Sequence, residues 1–410
     1  MDLVKQLLKS FQIVLIAVLV GYITLSFSYM IPVKPMQEHM KQSIDSFINQ
    51  DIYQEINSYG SNGMIDNFTD SLMISHAINE SNSNPFVKSL ENQRFSEADK
   101  DQRIVIKDYL NTGTSNQTIN YNRYWHGYLT ILKPALFLFE YTTLKTINLV
   151  VSIILVLLTS FLFYKKTNLT YALGFIGSIL VLQPYIISQC LQYSSTYYIS
   201  LISIILILLK YDKEKYLSDY IYLFVIIGCL TSFFDLLTAP LITFGLPLLT
   251  LISLDKNIKL KEVILIGLSW SLGYLGMWFG KWIITSLVLK TDIIKLAIET
   301  IAFRTSDTTS LEKISRIDTV ITNYKVALVS NVVYINALFI LVSFVYLKVN
   351  KYTFKLNKNI ITILALSFVP VVWYLITSNH ASIHYFYTFR SVSITVFAAY
   401  LFVFSNFNKG

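Results

Sequence analysis

Apolar runs of about 20 residues constrain this chain most, because a helix of roughly that length is what crosses the hydrocarbon core of a bilayer. The first run is Phe11–Ile31, preceded by Lys5 and Lys9. Further runs lie near residues 146–164, 171–188, 194–210, 218–235, 237–254, 263–288, 327–347, 359–377 and 391–406. Ser26-Phe27-Ser28 offers the small residues of a signal-peptide cleavage site, but the apolar stretch is too long for one, so the reading is an uncleaved span. Only 14% of residues are charged and 54% are hydrophobic, against about a quarter charged in soluble domains. The expected fold is all-α: a polytopic membrane protein with about ten transmembrane helices and a long, mostly helical first extracellular loop.

Lysine sets the expected orientation. Alternating sides from a cytoplasmic N-terminus puts Lys165 and Lys166, then Lys210, Lys213 and Lys215, then Lys256, Lys259 and Lys261, then Lys348, Lys351, Lys355 and Lys358 on the inside, with Lys409 in the tail. The short outer connections near 189–193 and 235–237 carry no Lys or Arg. One miscounted span would break this positive-inside pattern. The layout is then a cytoplasmic N-terminus (1–10), a first span (11–32), an extracellular loop domain (33–145), spans two to seven (146–289), a second extracellular segment (290–326), and spans eight to ten with a short cytoplasmic tail (327–410). Tyr128–Tyr141 is apolar but short and interrupted by Lys133-Pro134, so an interfacial helix near 128–141 is expected. Ile293, Ile294, Leu296, Ala297 and Ile301 predict a second helix lying on the membrane. The formal charge of +8 is this cytoplasmic lysine, not a nucleic-acid surface, since no basic helix with base-reading side chains occurs. Cys190 and Cys229 match no zinc or redox spacing and read as small buried residues.

All six arginines, Arg94, Arg103, Arg123, Arg304, Arg316 and Arg390, fall on the expected outer side, against the positive-inside trend. Guanidinium is a planar fork suited to phosphate or carboxylate, where lysine is a point charge. Arg123 and Arg390, flanked by aromatics at a membrane boundary, are the candidates for binding a phosphate. In the first loop Asp66 and Asp70 are spaced to share one face of a helix. Such a pair can hold a divalent ion or supply a general base; equally, Asp66 or Thr69 can cap the helix running toward Ala77. The cluster Arg123-Tyr124-Trp125-His126-Gly127-Tyr128 offers Trp125 for stacking on a sugar ring and His126 as a polar group, or it is an interfacial belt. His380 and His384 have helical metal-pair spacing, but no glutamate follows His380 as a zinc protease requires. Asp235, at an outer helix end, completes the candidate substrate-binding set or caps the next helix. There is no phosphate-binding loop, dinucleotide fingerprint or nucleophile elbow. An outer-face reaction has no nucleotide-activated sugar at hand, so an activated substrate must arrive on a lipid.

With these residues in place the layout resembles the type C glycosyltransferase superfamily. The resemblance implies a cytoplasmic N-terminus, a first outer loop carrying an acidic catalytic position that Asp66 or Asp70 would match, and a polyprenyl-phosphate-linked sugar donor. The strings Asp66-Asn67-Phe68-Thr69-Asp70 and Tyr124-Trp125-His126-Gly127-Tyr128 also look like those of multi-pass proteins of low-GC Gram-positive bacteria, implying a bacterial plasma membrane. The expected function is sugar transfer to a cell-envelope glycan, lipid or protein on the outer face, with a divalent metal ion as the one cofactor the acidic pair admits. A transporter or flippase, or a polymerase, for lipid-linked saccharides is the alternative, and a non-catalytic scaffold is a third class.

Overall fold

A computed structural model describes residues 3–56, 60–115, 117–211, 217–255, 257–308, 313–357 and 359–409; Lys213, Lys215, Lys256 and Lys358 lie outside the described residues. The fold is nearly all helical. Among the described residues, six helices are long and apolar enough to cross a membrane: Val4–Ser28, Tyr141–Lys166, Leu191–Lys210, Leu260–Leu289, Ser330–Val349 and Tyr385–Phe404. They leave large side chains uncovered, such as Leu15, Leu157 (65% exposed) and Leu341, a surface natural to lipid and costly in water.

The other four expected runs form shorter or broken helices, and proline explains most of the difference. The 171–188 run divides at Gln183, which has φ +57° ahead of Pro184, into Leu169–Leu182 and Pro184–Ser188. The 359–377 run divides at Phe368, just before Pro370, into Ile360–Ser367 and Val369–Ile376. The 237–254 run starts late, after Pro240, as Ile242–Leu254 with Pro247 inside. Proline lacks the N–H that would continue the ladder and disfavours helix in the residue before it. The 218–235 run is the helix Leu217–Phe234. It meets Leu260–Leu289 backbone to backbone: a Cβ on Gly228 would lie 2.1 Å from the Trp270 carbonyl, and one on Gly273 2.0 Å from that of Val225. Small residues permit such close approach.

The two ends of the bundle differ. At one end the Lys9 amine sits over the Tyr222 ring, Asn359 donates to the Asp255 carbonyl, and Tyr352–Phe354 pairs antiparallel with Phe407–Lys409. At the other end stands the 33–138 region. It holds the helices Val33–Ile48, Asn67–Ile78, Pro85–Glu91, Gln102–Thr112 and Leu129–Leu138, with a small antiparallel pair, Gln93–Phe95 against Thr118–Asn120. The two β pairs depart from the all-helical expectation, each only three residues per strand. Val33–Ile48 buries Met36, Met40, Ile44 and Phe47, a helical stripe that packs on Leu129–Leu138 and Gln102–Thr112. Ile293–Arg304 and Arg316–Ala327 complete this end.

Candidate functional site

The aromatic residues at the loop-bearing end surround a cavity of about 340 Å³. It lies between the helices Leu260–Leu289, Ile293–Arg304 and Val369–Ile376. Trp278, Trp282, Trp373 and Ile376 wall it, and Tyr124, Arg123 and Arg304 are also among its lining residues, although the surface it presents is almost wholly apolar. Helical spacing places Trp278 and Trp282 one turn apart on one face, where Ile293 and Ala297 pack against them. Neither Arg123 nor Arg304 has a carboxylate partner among the described residues. Arg123 donates to the Thr300 hydroxyl at 2.7 Å.

Behind Arg304 runs a polar chain. Arg304 Nη1 donates to His384 Nε2 at 3.2 Å, so that imidazole is neutral there; burial, reinforced by Arg304, brings its pKa down to about 3. The His384 ring stacks on Tyr387 with centroids 5.0 Å apart and lies 4.9 Å from the His380 ring. His380 Nε2 donates to the Leu237 carbonyl at 2.8 Å, leaving a buried Nδ1 lone pair with no partner among the described residues. Leu237 itself is held at φ +65°, a strained setting for a bulky residue, and lines the cavity. Asp235 accepts from the Thr238 N–H at 3.0 Å. Tyr387 is within electrostatic reach of Asp66, Arg304, Tyr124 and Asp235, so groups more than three hundred residues apart converge.

The two aspartates have separate duties. Asp66 is the N-cap of Asn67–Ile78, its two oxygens taking the Thr69 N–H at 2.8 Å and the Thr69 hydroxyl at 2.7 Å. Burial outweighs those bonds and lifts its pKa to about 6. Asp70 is completely buried and accepts from the Tyr141 hydroxyl and the Leu191 and Gln192 N–H groups. It therefore caps the helix Leu191–Lys210 from outside. Burial raises its pKa while Lys145 and these donors oppose the rise. The expected catalytic role for Asp70 is corrected to a structural one, because its lone pairs are spent. A divalent ion does not fit this pair either: its oxygens are engaged, and among the described residues no three His, Cys, Asp or Glu side chains converge on a point.

Three further expectations are corrected by burial. Arg390 does not face a phosphate: its Nε donates to the Leu182 carbonyl at 3.0 Å, its Nη1 to the Phe386 and Tyr387 carbonyls, and its plane covers the Tyr193 ring at 4.0 Å. Trp125 is buried, its Nε1 bonded to the Met277 carbonyl at 2.7 Å, and is closed to a sugar. His126, at φ +56°, donates from Nε2 to the Tyr121 carbonyl and accepts the Tyr128 hydroxyl at Nδ1. It pins its own turn. Arg304, Tyr387 and the tryptophans Trp278, Trp282 and Trp373 were not singled out from sequence. The outer placement of Arg304 beside an apolar helical stripe was the one signal for it. In comparisons with family models, curated proteins and solved structures, nothing matches this chain.

Proposed function

We propose that this chain is an integral membrane glycosyltransferase with ten crossing helices, both termini cytoplasmic in a bacterial plasma membrane, and its chemistry on the outer face. It takes a sugar from a polyprenyl-phosphate donor and delivers it to a cell-envelope acceptor. The observation carrying this reading is the tryptophan-walled, almost wholly apolar cavity whose lining residues include Arg123 and Arg304, neither with a carboxylate partner among the described residues. An isoprenoid chain suits its walls, and a phosphate suits the forks of Arg304 and Arg123. Ionised guanidinium beside the departing phosphate stabilises the charge that develops there.

Asp66 supplies the base in this reading. With a pKa of about 6 it is largely ionised at neutral pH yet remains a competent proton acceptor. The acceptor hydroxyl oxygen bonds to the anomeric carbon, its proton passes to Asp66, and the bond from that carbon to the phosphate oxygen breaks, the phosphate leaving with the electron pair. His384 and His380, behind the cavity, hold Arg304 and the Leu237 backbone in place, and Asp235 fixes the turn at Thr238.

The test uses purified protein in nanodiscs with a polyprenyl-phosphate sugar. Arg304→Gln is expected to weaken donor binding by about tenfold or more, and Asp66→Asn to lower turnover about a hundredfold with donor binding kept. Lipid flipping by the wild type without any transfer would establish the transporter reading instead, since moving a substrate needs no base.

A further inference from the structure

A second cavity, about 420 Å³, opens on the loop domain and shares one wall with the first. Arg94, Asn120, Tyr121, Asn122 and Arg123 give it its polar side, while Phe68, Leu72 and Leu296 give it apolar patches. Arg123 lines both cavities; Arg94 lines only this one, and Arg304 only the other. The volume is in the range of small-molecule sites.

We infer that this outer pocket binds an anionic saccharide, its carboxylate or phosphate between Arg94 and Arg123 and a sugar ring against Phe68 or Tyr121. The Arg123 guanidinium stands 5.6 Å from the centre of the Tyr121 ring, and Arg94 lines the same pocket, so two cations border one cavity. Neither has a carboxylate partner among the described residues, and no acidic side chain lines the pocket. Arg94 Nη1 is satisfied by the Phe95 carbonyl and the Gln102 amide, which fixes the fork, while its buried Nε has no partner. That Nε is sealed from the pocket, so a bound oxyanion would be met by the terminal nitrogens of the fork.

Phe68 is the one apolar residue of the first turn of Asn67–Ile78, and it remains 43% exposed while most of that helix is buried. An exposed ring beside paired amides suits the apolar face and hydroxyl rim of a sugar. The assignment of this ligand as the acceptor rests on the transferase reading; the binding of an anionic saccharide does not. The shared Arg123 wall would set an acceptor hydroxyl toward the donor cavity.

The experiment is calorimetric titration of donor-free protein in phosphatidylcholine nanodiscs with a uronic-acid tetrasaccharide and with a neutral N-acetylglucosamine tetrasaccharide. The acidic probe is expected to bind about tenfold tighter or more and to weaken as salt rises. Arg94→Gln should cost about tenfold in that affinity, with Arg94→Lys intermediate because it keeps charge but loses the fork. Phe68→Ala, which touches no hydrogen bond of the fold, should also weaken it. Neither Arg94→Gln nor Phe68→Ala should alter binding of the polyprenyl-phosphate donor. Equal binding of the neutral probe, no binding of either, or unchanged affinity in both Arg94→Gln and Phe68→Ala would overturn the inference. So would displacement of the acidic probe when phosphatidylglycerol replaces phosphatidylcholine, which would make this a membrane-lipid surface. Saccharide binding without sugar transfer would sink the transferase reading and leave this site standing; transfer without saccharide binding would do the reverse.

Discussion

Replacing Asp70 with asparagine separates a structural carboxylate from a catalytic one. Asp70 receives the Tyr141 hydroxyl at 2.8 Å, the Leu191 N–H at 2.9 Å, the Gln192 N–H at 3.1 Å and the Cys190 thiol at 3.4 Å. Four donors require about four lone-pair sites, which an ionised carboxylate has. Asparagine keeps one oxygen and turns an NH₂ group toward the remaining donors. Two donors then lose their acceptor, each at about 1–3 kcal/mol when buried, and the charge that faces Lys145 is lost. Asp70→Asn is therefore expected to destabilise the protein by about 2–6 kcal/mol. Tyr141→Phe removes one of the competing donors, so the double variant should lose less than the sum of the singles. The assay is reversible unfolding in detergent by circular dichroism for wild type, both singles and the double. Stability of Asp70→Asn within about 0.5 kcal/mol of wild type, together with collapse of sugar transfer, would refute the structural role and restore Asp70 as a base.

Asp66, raised from 3.8 to about 6 in the folded state, keeps a proton that the unfolded chain has released between those values. Its contribution to stability is therefore fullest below pH 4 and is lost as pH rises through 6, a change of about 3 kcal/mol; melting from pH 4 to 8 should show this slope, and Asp66→Asn should flatten it. If Asp66 is the base, transfer should rise over the same interval, with half-maximal rate near pH 6. Gly127→Ala would put a Cβ 2.3 Å from the Phe233 ring and disturb the Gly127 N–H bond to the Phe233 carbonyl, so a lower melting temperature, worth about 1–3 kcal/mol, is expected; wild-type melting would show that this turn yields. Cysteines at Ser61 and Ser306 should react with a membrane-impermeant reagent on intact cells while one at Asn257 should not, and labelling at Asn257 would reverse the orientation.

Apolar run length made the membrane helices legible because lipid leaves it little alternative. Positions, too, were close: Leu191–Lys210 and Leu260–Leu289 enclose the runs read near 194–210 and 263–288. The breaks were less legible, since a hydropathy window averages over Gln183 and Phe368. The Asp66 and Asp70 spacing offered base, metal or cap, and local chemistry decided only for Asp66, whose partner Thr69 is three residues away. The partners of Asp70 lie 71, 120, 121 and 122 residues downstream, beyond any local rule. His380 and His384 did converge as their spacing predicts, although Arg304, rather than a metal, occupies the His384 nitrogen.

The aromatic flanks that mark Arg123 and Arg390 as phosphate candidates do not show a division among the outer cations that hydrogen bonding reveals. Lys133 donates to the Ala77 carbonyl at 2.7 Å, Lys281 to those of Ser89 and Leu90, and Arg390 to Leu182, Phe386 and Tyr387. Each is buried, and each joins segments distant in sequence: Lys133 ties two helices of the loop domain, Lys281 ties that domain to the bundle, and Arg390 ties two helical breaks together. Carbonyl oxygens can solvate a buried cation without introducing an opposing charge, so these groups act as staples and their charge is not offered to a ligand. Arg94, Arg123 and Arg304 differ because they border cavities, whereas the Nη2 that Arg390 leaves unpaired among the described residues is buried. The guanidinium fork is common to Arg390 and Arg304; what separates structural from ligand-facing arginine is whether the side chain borders a cavity. That is a property of tertiary packing, which is why Arg390 was chosen from its aromatic flanks and Arg304 was passed over.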